Sequence, residues 1–139
     1  LQKEGANLDE RTKGRWLLHY VQRELERSAR LVVDSGRTRR QVEPILEEIV
    51  ESRLVFLNAS DEARRHRYHV AARSDPLKRN VSFVEAMDHD TERRATDLKS
   101  MAHVIVDTDG LGPEVVLREV EARLGLERDE HQGDDGLEQ

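Results

Sequence analysis

The sequence predicts an α/β fold: a three-layer sandwich on a short parallel sheet. Three observations predict it. Apolar runs alternate along the chain with segments of helical periodicity. The runs are continuous rather than alternating, as suits parallel strands covered on both faces. Each run also ends in a small polar turn.

Residues 7–28, NLDERTKGRWLLHYVQRELERS, read as the first helix. Leu18, Val21 and Leu25 recur at i, i+3 and i+7, and Leu17 and Tyr20 widen the stripe. Asn7 with Glu10 forms a variant of the capping box. Leu31, Val32 and Val33 form a first short strand, punctuated by Gly36. Residues 38–52 form the next helix, with Val42, Ile45, Leu46, Ile49 and Val50 on the helical template and Thr38 with Gln41 as a capping box. Pro44 either kinks its first turns or places the true start near Glu43.

Residues 54–57 form a second strand. The helix after it has Ser60 as N-cap and Asp61 and Glu62 in its first turn, where the helix dipole favours anions. A loop, SDPLKRN, follows, and residues 81–101 hold one short and one longer helix. HVIVDTDG is a third strand of the same design as the first. The last helix takes Pro113 at its first position and Gly125 as its stop. Residues 1–126 thus form one domain, and residues 127–139, charged and poor in apolar side chains, read as a disordered acidic tail.

Composition narrows the function. Charged residues make up 37% and apolar ones 36% of the 139 residues, and the apolar ones cluster enough for a modest core. A net charge of −6 argues against a general nucleic-acid binder, which needs a broad positive surface. The absence of cysteine removes disulfides, thiol catalysis and Cys-type zinc sites and fits a cytoplasmic setting. No run reaches the roughly 18 apolar residues of a membrane helix. Leu1 stands in place of Met and leads straight into a charged segment, which points to a missing N-terminal portion.

In open parallel sheets, ligands bind at the C-terminal ends of the strands. Asp34 and Asp107 end two of the three strands. Each can hold Mg²⁺ or accept a proton, or can simply cap the turn at Gly36 or Gly110. Arg37 lies three residues past Asp34, either as an exposed surface residue or as a phosphate fork. Arg64, Arg65, Arg67 and Arg73 crowd one helix, and Lys78 and Arg79 follow in the loop. Such a run is either a solvated face or a basic flap that closes over phosphates. Arg67 and Arg73 are six apart, so a shared ligand requires a bend or a helix end between them. His66 and His69 lack a third metal ligand of suitable spacing, and Glu92 reads as a helix-start residue.

Together these residues resemble a P-loop nucleoside or nucleotide kinase downstream of its first helix. The closer resemblance is to the P-loop kinase-like domain associated with adenylosuccinate synthetase-like proteins in bacteria. It rests on LQKEGANLDERTKGRW, VVDSGRTRRQVEPI, RYHVAAR, the Thr91–Glu92 pair and AHVIVDTDG, and spans residues 1–126. The resemblance implies an incomplete P-loop NTPase-type sandwich that binds ATP or GTP with Mg²⁺ and transfers a phosphoryl group to a nucleoside-type acceptor. It also implies a nucleotide partner and an adenylosuccinate synthetase-like protein partner. By position, Asp34 would stand near the metal or acceptor. Arg37, Thr12 and Trp16 would face the acceptor. Arg64, Arg67 and Arg73 would hold phosphate, the last two as lid arginines that neutralise the transferring group.

One departure is large: G-x-x-x-x-G-K-[ST], the loop that cradles the β- and γ-phosphates, does not occur in the sequence. The strand and helix around that loop are missing with it. In the kinase sheet order that strand is central, between the strand ending at Asp34 and the one ending near Leu57, so both lose a ladder of hydrogen bonds. The expectation is a truncated, inactive phosphotransferase domain that binds nucleotide weakly by itself. The alternatives are a non-catalytic interaction module and, more distantly, a receiver-like domain.

Overall fold

Lys13 and Gly14 break the expected first helix in two. In the computed structural model, which describes residues 2–34, 36–75, 81–88 and 95–126, α1 spans Gln2–Thr12 and α2 spans Arg15–Leu25. Asn7 therefore lies inside α1 and not at a cap. Both break residues are left-handed, with φ of 52° at Lys13 and 79° at Gly14. The Gly14 amide donates to the Asp9 carbonyl at 2.9 Å and the Lys13 amide to that of Glu10 at 3.4 Å, a Schellman closure.

The next helix, α3 (Arg39–Glu48), explains why position 14 is glycine. A Cβ there would lie 2.3 Å from the Arg40 carbonyl oxygen. Pro44 has no N–H to return to that same carbonyl, yet α3 runs through Pro44 from Arg39. So the helix neither begins at Glu43 nor reaches residue 52. Close approach at Gly14 lets α2 lie along α3, with Leu17, Leu18, Val21 and Val42 buried between them. The expected capping box is also replaced. The Thr38 carbonyl accepts from the Gln41 and Val42 amides at 3.0 and 3.1 Å, while its hydroxyl is buried without a partner. The Gln41 side chain is engaged elsewhere, as described below.

The first expected strand does not form. Leu31, Val32 and Val33 are 38%, 93% and 41% exposed and pair with no described strand. An apolar run becomes a strand only when a neighbour accepts its ladder bonds. Among the described residues the sheet has two strands: β1 (Val55–Asn58) and β2 (Val104–Asp107), parallel, with Val55 opposite Val104 and Asn58 opposite Asp107. Coverage on both faces is likewise not observed. Val104 and Val106 are buried, whereas Ile105 is 38% and Leu57 55% exposed.

Between the strands run α4 (Asp61–Ser74), α5 (Phe83–Asp88) and a 3₁₀ helix, Thr96–Met101. Ser60 caps α4 as expected, its Oγ accepting from the Ala63 amide at 3.1 Å. Ser82 and Glu85 form a reciprocal capping box on α5, with bonds of 2.8 and 3.2 Å. The final helix, α6 (Pro113–Leu124), packs along β2 and stops at Gly125 in the left-handed region. The expectations for Lys78, Arg79, Thr91, Glu92 and the tail lie outside the described residues. No described helix is long and apolar enough to cross a membrane.

Candidate functional site

The strand tips are held by a few polar groups that converge because the strands are parallel and in register. Thr108, immediately after β2, is 6% exposed. Its amide and its hydroxyl both donate to the Asn58 carbonyl at the end of β1, each at 2.9 Å. Beside them the Asn58 amide nitrogen donates to Asp107 Oδ1 at 3.3 Å, and Lys99 Nζ donates to Asn58 Oδ1 at 3.4 Å. The Ser60 amide donates to Asp109 Oδ1 at 3.0 Å. The bonds from Ser60, reinforced by the charge of Arg67, hold the Asp109 carboxyl below its ordinary value.

Arg67 reaches this cluster from the second turn of α4. Nη1 donates to Thr108 Oγ1 at 2.9 Å and Nη2 to the Thr108 carbonyl at 2.7 Å. A guanidinium carries five N–H donors in a fixed fork, and these bonds use one from each terminal nitrogen. Arg64, one turn earlier, pairs with Asp61 and donates to Met87 Sδ at 3.7 Å. Arg65 stacks over the Phe83 ring at 5.5 Å. Arg73 stands exposed in the last turn of α4, about 9 Å further along the axis at 1.5 Å per residue.

The other expected site residues lie elsewhere. Asp34 is exposed and lies outside the described helices and strands. Thr12 and Trp16 flank the α1–α2 break: the Thr12 hydroxyl donates to the Leu8 carbonyl at 2.7 Å, and the Trp16 indole N–H donates to Asp9. Gln41 Nε2 donates to the other Asp9 oxygen at 2.6 Å, and Gln41 Oε1 accepts from the Arg37 amide at 2.9 Å. Thr12, Trp16 and Arg37 therefore share one corner of α1, α2 and α3, and Arg67 of α4 shares another with the strand tips.

Sequence reasoning missed Asn58, Lys99, Thr108 and Asp109. The signal was present in two places: a polar residue follows each paired apolar run directly, in FLNAS and in VIVDTD. Among the described residues no three His, Asp or Glu side chains converge as a metal cluster.

No solved structure matches the chain. Over 86 residues it is 33% identical to a nucleotide-binding protein of Syntrophomonas wolfei subsp. wolfei, a match covering 59% of this chain. That match spans 28% of the relative's length. Its family is settled by a longer match: residues 23–128 align with the RapZ-like N-terminal domain, and the chain belongs to that family.

Proposed function

We propose that the chain contributes the strand-tip side of a nucleotide-binding, P-loop-like domain, with Arg67 as its phosphate-facing cation. The observation that carries this is the pair of bonds from Arg67 to Thr108. They fix a guanidinium, with donors to spare, at the C-terminal ends of two parallel strands, where open α/β sheets bind ligands. A planar fork held in place suits phosphate oxygens better than a free side chain does. The similarity to a nucleotide-binding protein supports the same reading.

A further step, phosphoryl transfer from ATP or GTP to a nucleoside-type acceptor, follows from the kinase resemblance. An adenylosuccinate synthetase-like partner draws no support from the comparisons. Nucleotide-bound Mg²⁺ needs only one or two protein carboxylates, phosphate and water completing its octahedron. Asp107, exposed at the β2 tip, fits that need, and Asp34 is the alternative donor. The ion would neutralise phosphate charge there.

The test is titration of the isotope-labelled chain with millimolar ATP, with and without Mg²⁺, followed by backbone amide spectra. Shifts concentrated at Asn58, Ser60, Arg67 and Thr108, and lost in Arg67→Ala, support the assignment. Shifts confined to other regions, or none at all, overturn it. Asp107→Asn and Asp34→Asn then decide the metal ligand, since only the true ligand abolishes the Mg²⁺ enhancement.

A further inference from the structure

An open groove of about 330 Å³ lies beside Arg67, lined by Arg64, Arg67, Tyr68, Ala71, Phe83 and Met87. Its floor is apolar and its rim cationic. Phe83 is 8% exposed and meets Tyr68 edge to face at 5.8 Å. Tyr68 is fixed in turn by its hydroxyl, which donates to the Val81 carbonyl at 2.8 Å. Arg64 lies against the Met87 sulfur. The groove is therefore pre-formed: its aromatic residues are locked by one another and by a backbone bond.

We infer that this groove is the nucleobase subsite of the strand-tip phosphate site, an inference that rests on the nucleotide reading above. Three features favour a flat aromatic ring over an aliphatic group. The Tyr68 ring, backed by Phe83 in the groove lining, suits edge-to-face contact. A guanidinium plane at Arg64 suits stacking on a π-face. The Met87 thioether adds a soft contact to an aromatic edge. The remaining choice, anionic against neutral, is set by charge: Arg67 belongs both to the groove wall and to the strand-tip cluster. A ligand with its ring in the groove therefore carries its anionic end toward Thr108. The volume sits at the lower end of the roughly 300–1,000 Å³ range of small-molecule sites, in keeping with a base.

The chain has only two methionines, which makes the test direct. Met87 lines the groove, and Met101 closes the 3₁₀ helix. The full chain, labelled at the methionine methyls, is titrated with ATP and separately with inorganic tripolyphosphate. The expected result is that both ligands move the Thr108 amide. Only ATP, through its ring current, moves the Met87 methyl, and the Met101 methyl stays still. Ala71→Leu, which fills the groove, should weaken ATP about fivefold or more and leave tripolyphosphate unchanged. A Met87 methyl that moves no more with ATP than with tripolyphosphate overturns the base subsite and leaves the phosphate site standing. A Thr108 amide that responds to neither ligand overturns both.

Discussion

Arg67 and Thr108 are joined twice, side chain to hydroxyl at 2.9 Å and side chain to carbonyl at 2.7 Å. The contact spans 41 residues of sequence and ties the middle of α4 to the end of β2. Because the Thr108 hydroxyl in turn donates a hydrogen bond to the Asn58 carbonyl, the latch also fastens the two strand tips to each other. Arg67→Ala and Thr108→Val should therefore not act independently. In a double-mutant cycle by urea denaturation, their coupling should be about 1 kcal/mol. Arg67→Lys should behave nearly like Arg67→Ala, because one ammonium does not reproduce a two-pronged fork. Additive effects within about 0.3 kcal/mol would show that the latch contributes nothing to the fold.

Low pH should loosen the other attachment of α4, the Ser60–Asp109 bond. The Asp109 carboxyl is held below its ordinary 3.8 by hydrogen bonds from Ser60. A group whose folded value lies below its unfolded one binds its proton more readily when unfolded. Its stabilising contribution is therefore complete above the ordinary value and lost as pH falls below 3.8 toward the folded value. Denaturation midpoints measured from neutral pH down through this window should converge for wild type and Asp109→Asn at the acid end and separate above it. Parallel curves throughout would rule out this linkage.

Two glycines with similar positive φ should respond differently to a methyl group. Gly14 has φ 79° and Gly110 has φ 69°. A Cβ on Gly110 meets nothing within 4 Å, whereas one on Gly14 would collide with the Arg40 carbonyl at 2.3 Å. Gly110→Ala should cost about 1 kcal/mol, the left-handed penalty alone. Gly14→Ala should cost at least about 2 kcal/mol more, because α2 has to move off α3. Thermal or urea melts of the two variants decide it, and equal losses would mean that the close approach carries no stability.

The parts legible in sequence were those set by local chemistry. Ser60 as a cap, Pro113 at a helix start, Gly125 as a stop and the apolar run before Asp107 all act within a turn or a strand of their own position. What misled were features whose meaning depends on distant partners. Leu31, Val32 and Val33 have strand composition, but no described strand pairs with them. Gly14 falls inside the expected first helix, and only Arg40, 26 positions on, shows why glycine stands there. Gln41 has capping-box spacing from Thr38, yet its amide is drawn to Asp9 and the Arg37 backbone. At the site the same division holds. Arginine density on α4 could be read from the chain, but the selection of Arg67 required the parallel register that brings Thr108 to it.

Gln41 also gives the sharpest handle on the N-terminal corner. It is 8% exposed and bridges Asp9, which also accepts from the Trp16 indole, to the backbone amide of Arg37. Gln41→Leu keeps the bulk and removes both bonds, the one to the Asp9 carboxylate and the one from the Arg37 amide. The cost should be about 1–3 kcal/mol, that of hydrogen bonds lost at a part-buried site. Its signature should be local. Exchange of the Arg37 amide should accelerate by about tenfold or more, since 1.4 kcal/mol is a factor of ten. Trp16 is the only tryptophan, so its fluorescence should report the altered Asp9 contact, while exchange at Thr108 stays unchanged. If the Arg37 amide exchanges as slowly in the variant as in wild type, Gln41 does not hold the segment that carries Arg37, and the corner is ordered by the Leu17, Leu18, Val21 and Val42 packing alone.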